Sequence, residues 1–305
     1  GGMLSHRNLL LNSIQFGPQL GFNQESIYLH SAPMFHLANG AAMFATASAA
    51  GRSMIVTAFE PETVLKTIEK KKVSLALLVP TMVNMVVNHP KATDYDLTSL
   101  GNVLYGASPM PEAVITKAIE VMPETRFHQA FGQTEAGPVL TILPPERHVW
   151  EGPLAGKVKS AGQAISGIEM KIVDDDDNEV PRGTVGEICG RGENVMLGYW
   201  RQPEMSATTL RGGWLHTGDG GYMDEDGFVF VVDRVKDMII SGGENVYSAE
   251  VEQAIYQHAA VLECAVIGIP HEKWGEQVHA IVRCKEGKSV SAEDLIVHCH
   301  EWVAG

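Results

Sequence analysis

"PETVLKTIEKKKVSLALLV", residues 61–79, sets a helix-period segment directly before a continuous apolar run. Val64, Leu65 and Ile68 fall on one helical face, and Pro61 suits a first turn, where its missing N–H is not needed. "VSLALLV" shows no polar alternation, so it predicts a strand buried on both faces, as in a parallel sheet covered by helices. The alternation continues downstream: "TMVNMVVNH" reads as helix, "LGNVLYG" as strand, "PEAVITKAIEVM" as helix with Pro111 near its first turn, and "TRFHQAF" as strand. The expected class is α/β, with a large N-terminal domain built on mostly parallel sheet layers.

After about residue 150 the texture changes. "GIEMKIVDDDDNEVPRGTVGEICGRG" holds two alternating β segments, and "GGYMDEDGFVFVVDR" reads as a hairpin with Asp-Gly at its bend, giving a β-rich subdomain over about 150–235. The run Asp174–Asp177 reads as a solvated turn, because four consecutive side chains there point in divergent directions. From Val246 onward "SAEVEQAIYQH" reads as helix, "VLECAVIGIP" and "QVHAIVRC" as strands, and "SAEDLIVHCHEWV" as a capped helix. A small α+β domain is expected, with 1–235 and 236–305 as the two units.

Composition narrows the function classes. The 305 residues carry 23 basic and 37 acidic side chains, a net charge of -14, which lacks the basic excess that tracks a phosphate backbone, so no nucleic-acid partner is expected. Cys189, Cys264, Cys284 and Cys299 have no paired spacing and read as reduced packing residues of a cytoplasmic protein. "HCHEW" supplies too few ligands for a structural zinc site. "NGAAMFATASAAG" is too short and interrupted for a membrane span and reads as a buried helix of small residues.

The chemistry concentrates at strand ends, where open α/β sheets bind ligands. In "RFHQAFGQTEAGPV" (126–139), Phe131 offers a stacking face, Gly132 a close backbone approach, Thr134 a hydroxyl for a phosphate oxygen, and Glu135 a hard oxygen for magnesium. Together they suggest a nucleotide; a plain strand-to-loop turn with an exposed Glu is the competing reading. "ASPMP" (107–111) follows the neighbouring strand and can floor a planar base or simply start a helix. In "GWLHTGDGGYMDEDGF", Asp219 can accept both ribose hydroxyls or cap its Gly-rich turn.

With "MLSHRNL", "APMFHLANG", "YGASPMPEA", "AFGQTEAG", "GEICGRGENVMLGYW", "GWLHTGDGGYMDEDGF", "VDRVKDMIISGGENVYSAEVE" and "WGEQVHAIV" in this order, the chain resembles the acyl-CoA synthetases of the adenylate-forming, AMP-binding superfamily over essentially its whole length. The resemblance implies that Phe131 stacks on adenine, with Gly106, Ala107, Ser108 and Pro109 on its other side and Gly132 beside it. It implies that Thr134 meets the α-phosphate, Glu135 binds Mg2+, Asp219 holds the ribose with help from Arg234, and His36 flanks the acyl pocket. Lys236 falls at the family's hinge, and Gly242 and Gly243 of "SGGEN" leave room for the pantetheine arm of CoA. ATP, Mg2+ and CoA are the implied cofactor and co-substrates; a small-molecule carboxylate is the partner.

Two family parts are not found among these residues: the phosphate loop expected upstream of "GGMLSHRN" and a catalytic lysine expected downstream of "EWVAG". The chain is therefore expected to be a partial one, truncated at both ends, with adenylation impaired and thioester formation from a preformed acyl-adenylate surviving. A non-catalytic nucleotide- or CoA-binding module, and an adenylation domain that loads a carrier protein or activates an aryl acid, stand as alternatives. The expected pocket wall, from "MFHLANGAAMFA", Met82, Met85, "YGAS" and "GPVLTIL", is apolar, which favours a hydrophobic monocarboxylate such as a fatty acid.

Overall fold

Ser5 opens the first helix: its hydroxyl accepts the Asn8 N–H, and the Asn8 side chain accepts the Ser5 N–H at 2.8 Å, a reciprocal cap. The structure, a computed structural model, describes residues 1–234, 238–241 and 244–303. In chain order, α1 (His6–Phe16), β1 (Ile27–His30), α2 (Leu37–Ser48), β2 (Arg52–Ile55), α3 (Pro61–Lys71), β3 (Leu75–Leu77) and α4 (Pro80–Val87) come first. They are followed by β4 (Asn102–Gly106), α5 (Glu112–Val121), β5 (Arg126–Gly132), β6 (Val139–Leu143) and β7 (Gln163–Ala164). The strands make one sheet of order β2-β1-β3-β4-β5-β6-β7, parallel as far as β5 and antiparallel beyond it.

Helix α3 forms where the periodicity places it. The Glu60 carboxylate accepts the N–H groups of Glu62 and Thr63, Lys72 in the left-handed region ends the helix, and Val64, Leu65 and Ile68 are buried. The parallel strands bury both faces. Leu29, Ala76, Val103 and Tyr105 pack on one side with Leu65, Ile68, Val83 and Ile115, while Tyr28, Leu75, Leu77 and Leu104 pack on the other with Phe16, Ala41 and Ala45. At about 1.5–3 kcal/mol for each large side chain buried, this double cover holds the strand ends in fixed positions.

Two expectations need adjustment. The strand in "VSLALLV" is only Leu75–Leu77, because Val79 already caps α4 and Pro80 opens it. Pro111 caps α5 from the position before it, next to the first turn as expected. "GPVLTIL" folds as β6, a fully buried strand antiparallel to β5, so only its start can face a ligand.

Next come β8 (Glu169–Val173), β9 (Gly186–Arg191), α6 (Pro203–Thr209), β10 (Leu215–Met223) and β11 (Val229–Arg234). The four strands form an antiparallel sheet around Ile172, Ile188, Met223 and Val229. The Asp-Gly bend is as expected, with the Asp224 carboxylate accepting the N–H groups of Asp226 and Phe228. In the acidic run Asp174 accepts the N–H groups of Asp176 and Asn178, so the run is a turn, but Asp177 pairs with Arg211 at 2.7 Å instead of lying free in solvent.

The last elements are β12 (Ile239–Ser241), β13 (Glu244–Val246), α7 (Ser248–Tyr256), β14 (Val261–His271), β15 (Gly275–Cys284) and α8 (Ala292–Cys299). Their sheet, β13-β12-β15-β14, packs with α7 and α8 around Ile239, Ile255, Val261, Val266 and Leu295. Ser241 and Glu244 face each other across β12 and β13, so the described flanks of "SGGEN" are a hairpin. This unit touches the first sheet's helices: Asn84 donates to the Leu262 carbonyl at 2.9 Å, and Gln253 donates to the Met110 carbonyl and accepts the Glu112 N–H. No described helix is long and apolar enough to cross a membrane.

Burial lowers the pKa of His30, His128 and His148, with His128 brought down to about 4 and its Nε2 lying 2.9 Å from the Asn102 side-chain oxygen. Because the unfolded imidazole titrates near 6.5, the unfolded state binds more protons as pH falls from there toward 4, and stability falls with it. For His128 alone the loss amounts to about 3 kcal/mol across that window. Urea unfolding from pH 8 to pH 4 is expected to show a flat upper limb and a steep lower one, shallower in His128→Gln. Equal stability at pH 7 and pH 4.5 would contradict this account.

Candidate functional site

The carboxyl ends of β4 and β5 approach each other more closely than side chains permit. A Cβ on Gly106 would lie 2.1 Å from the Ala130 carbonyl oxygen, and one on Gly132 would lie 2.1 Å from the Pro138 carbonyl oxygen. Both glycines have positive φ, 156° and 154°, and Ala107 next to the first sits at 68°, a conformation that costs a non-glycine residue about 1–3 kcal/mol. Beside this junction opens a cleft of about 530 Å³. Its walls include Leu77, Leu104, Tyr105, Ala130, Phe131 and Val139, and Gly106, Ala107, Gly132, Gln133, Thr134 and His36 complete its rim.

The cleft thus unites six of the expected residues: His36, Gly106, Ala107, Phe131, Gly132 and Thr134. His36 caps α2, its Nδ1 accepting the Ala38 N–H at 3.3 Å, so the imidazole is oriented by the helix it starts. The Tyr105 hydroxyl is turned away into the protein, 2.8 Å from His148 Nε2. No Lys, Arg, Asp or Glu is among the residues named for the cleft wall. Met82 packs against the core under α4 and Met85 is exposed on the surface, so neither forms the wall expected of it.

Ser108 and Pro109 turn elsewhere. With Pro80, Asn84, Glu252 and Tyr256 they line a second cavity, of about 630 Å³, between the first sheet's helices and α7. Asp219 lies on β10 directly opposite Arg234 of β11, outside the cleft wall, and its N–H is held by the Thr217 hydroxyl at 3.1 Å. Lys236, Gly242 and Gly243 lie outside the described residues.

Glu135 sits in a one-turn 3-10 segment, Thr134–Ala136, immediately after the cleft floor. Its Oε1 accepts the Tyr199 hydroxyl at 2.7 Å, and its carbonyl accepts the Met196 N–H at 2.8 Å. Tyr199 was missed in the sequence, where "GYW" served only as part of a motif. Burial, and then the Glu135 hydrogen bond, push its phenol up to about 12, so it donates. Further polar clamps hold the same loop. Asn12, fully buried, accepts the Val139 N–H and donates to the Val139 carbonyl, and Asn194 donates to the Ala136 carbonyl.

A second polar cluster lies on the β9–β10 sheet. Glu187 and Cys189 share one face of β9, and His216 stands opposite Cys189, its Nδ1 2.8 Å from Glu187 and 3.3 Å from Cys189. This trio has metal-ligand chemistry, but Arg211 already sits on both Glu187 and Asp177. Glu187 also accepts the Gly218 N–H at 3.0 Å, so the cluster ties β9 to the turn that carries Asp219.

Comparison with known proteins places these features. The family model described as AMP-binding enzyme matches residues 1–200, and that described as AMP-binding enzyme C-terminal domain matches residues 250–304. A feruloyl-CoA synthase of an Amycolatopsis species is 38% identical over 306 residues, covering 100% of this chain and 61% of its own length. A long-chain-fatty-acid–CoA ligase of Escherichia coli O6:H1 is 33% identical, covering 100% of this chain and 54% of its own. Among solved structures, the amide bond synthetase McbA from Marinactinospora thermotolerans superposes with a TM-score of 0.91 at 31% identity, covering 100% of this chain and 61% of its own. The o-succinylbenzoate CoA synthetase of Bacillus subtilis, in complex with its acyl-adenylate intermediate, gives 0.88 at 30%, covering 100% and 60%. The chain thus spans little more than half the length of these relatives.

The glycine junction yields a direct test. Gly183 shares a positive φ, 80°, but nothing lies within 4 Å of its would-be Cβ. Gly183→Ala is therefore expected to cost about 1–2 kcal/mol of backbone strain. Gly132→Ala must add the displacement of a strand and should cost distinctly more in chemical denaturation. Equal losses in the two variants would mean that the junction can relax freely.

Proposed function

The chain belongs to the AMP-binding enzyme family, and from that premise we propose that the protein activates a hydrophobic monocarboxylic acid with ATP and transfers the acyl group to CoA. The observation that carries this reading is the cleft at the β4 and β5 ends, where an aromatic face, two glycine backbones and Thr134 converge. In the first step a carboxylate oxygen attacks the α-phosphorus of ATP, the bond to the bridging oxygen breaks, and pyrophosphate leaves with the electron pair. In the second step the CoA thiolate attacks the acyl carbon of the mixed anhydride, the thioester bond forms, and AMP leaves.

In this reading Phe131 stacks on adenine against Gly106 and Ala107, with Ser108 and Pro109 supporting the same strand end from behind. Thr134 donates to the α-phosphate, Asp219 accepts the ribose hydroxyls with Arg234 opposite it, and His36 borders the acyl group. Glu135, next to Thr134 in the turn that follows β5, is a hard oxygen donor, which suits Mg2+, an ion that takes one or two carboxylates together with substrate phosphates. When bound, Mg2+ supplies charge neutralisation on the phosphates. Residues 1–235 form the nucleotide-binding unit and 236–305 the part that moves between the two steps, with Lys236 at the hinge and Gly242 and Gly243 along the pantetheine path.

Among the described residues the cleft wall has no cation for a second carboxylate and no anion for an amino group, which favours a fatty or aryl monoacid. The feruloyl and long-chain-fatty-acid relatives bracket those two classes. The superposition on an amide bond synthetase supports a second acceptor, an amine in place of the thiol. Four unpaired cysteines fit a reducing compartment such as the cytoplasm.

AMP and a non-hydrolysable acyl-adenylate should bind this chain by calorimetry, and Phe131→Ala should weaken both about tenfold or more, the worth of one base stacked on an aromatic ring. In the full-length protein, ATP with a series of fatty and hydroxycinnamic acids should release pyrophosphate, and offering CoA and simple amines in parallel identifies the acceptor. Unchanged AMP affinity in Phe131→Ala would remove the nucleotide from this cleft.

A further inference from the structure

The segment 194–202 grips the Thr134–Ala136 turn at three points: Asn194 on the Ala136 carbonyl, Met196 on the Glu135 carbonyl, and Tyr199 on the Glu135 carboxylate. Of these only the Tyr199 contact touches the side chain. A carboxylate on a short turn is free to rotate about its terminal bonds, and such rotation moves both oxygens. A phenol hydroxyl at 2.7 Å on Oε1 removes that freedom and leaves Oε2 with a defined direction. We propose that Tyr199 is a positioning residue that fixes the Glu135 carboxylate for a divalent cation travelling with the nucleotide phosphates.

The tyrosine is itself held. Its N–H donates to the Ser206 hydroxyl at 2.7 Å, and it bridges to Gly2 on one side and Gln202 on the other. Gly198 before it has φ 131°, and Arg201 after it has φ 54°, so the chain is bent on both sides to present one ring. A tyrosine needed only for packing would bury its ring and leave its hydroxyl in water, where Phe serves as well. Here the hydroxyl donates to the Glu135 carboxylate, 64 residues away in sequence.

The inference rests on Glu135 as the cation's ligand, so the test separates the two claims. Mn2+ binding to the full-length protein holding a non-hydrolysable ATP analogue is followed by electron paramagnetic resonance, and the Mg2+ dependence of pyrophosphate release by kinetics. Tyr199→Phe keeps the ring and should weaken Mn2+ about tenfold, the loss seen when a group that orients a metal ligand is removed. It should raise half-saturating Mg2+ alike, with kcat restored at high Mg2+. Glu135→Gln should weaken Mn2+ further, and the double variant no further than Glu135→Gln alone. Trp200→Leu, at a 61% exposed neighbour, should leave Mn2+ affinity unchanged and so controls for disturbance of the segment. Unchanged Mn2+ affinity in Tyr199→Phe alongside a loss in Glu135→Gln overturns the role of Tyr199 and leaves the ligand in place. Unchanged affinity in Glu135→Gln overturns the ligand assignment and the inference with it.

Discussion

The approach of two backbones at Gly106 and Gly132 is the constraint on which the site depends. Parallel strands normally diverge into their loops beyond the last ladder bond, but here Gly106 still pairs with Ala130, and Gly132 with Val139 of the antiparallel β6. No side chain can occupy either position, so the cleft takes its floor from bare peptide groups and its wall from Phe131. A planar ligand can lie against peptide planes at van der Waals distance only if such a Cβ is missing.

That junction would be fragile if the following loop were free. It is held by asparagines as well as by the apolar packing of Ala136 and Val139: Asn12 completes the hydrogen bonds of Val139 on the helix side, and Asn8 donates to the carbonyls of Glu193 and Val195. Buried amides serve here because loop backbone needs both donors and acceptors, and one Asn side chain supplies each. The result couples α1, the β5–β6 turn and the 194–202 segment into one polar unit. Displacement of any one of them must break hydrogen bonds in a region where water cannot replace them.

The layers of the fold were legible because they rest on local rules. Val64, Leu65 and Ile68 announce a helix face, and "LGNVLYG" a strand, with no knowledge of what packs on them. What local rules missed is set by partners far along the chain. Nothing in "VLTIL" says that β6 runs antiparallel at the side of a parallel sheet, and nothing in "GYW" says that its hydroxyl meets Glu135. At the site, Phe131 and Thr134 converge as their strand-end position suggests and His36 joins them as the resemblance implies, whereas Ser108 and Pro109, two residues farther along an exposed loop, face α7. The direction of a side chain beyond a strand end depends on one or two φ values, and Ala107 with its φ of 68° reverses it.

The same reversal links the two cavities. Ala107 lines the cleft while Ser108 and Pro109 line the space against α7, so a single short loop has the cleft on one side and the last unit on the other. Gln253 of α7 holds the Met110 carbonyl and the Glu112 N–H at the far end of that loop, fixing it by two hydrogen bonds between groups that are half-buried. Each is worth about 1 kcal/mol net, enough to bias the loop without locking it. The loop between the two cavities is five residues long, 107–111, and its place at a strand end is legible in the sequence.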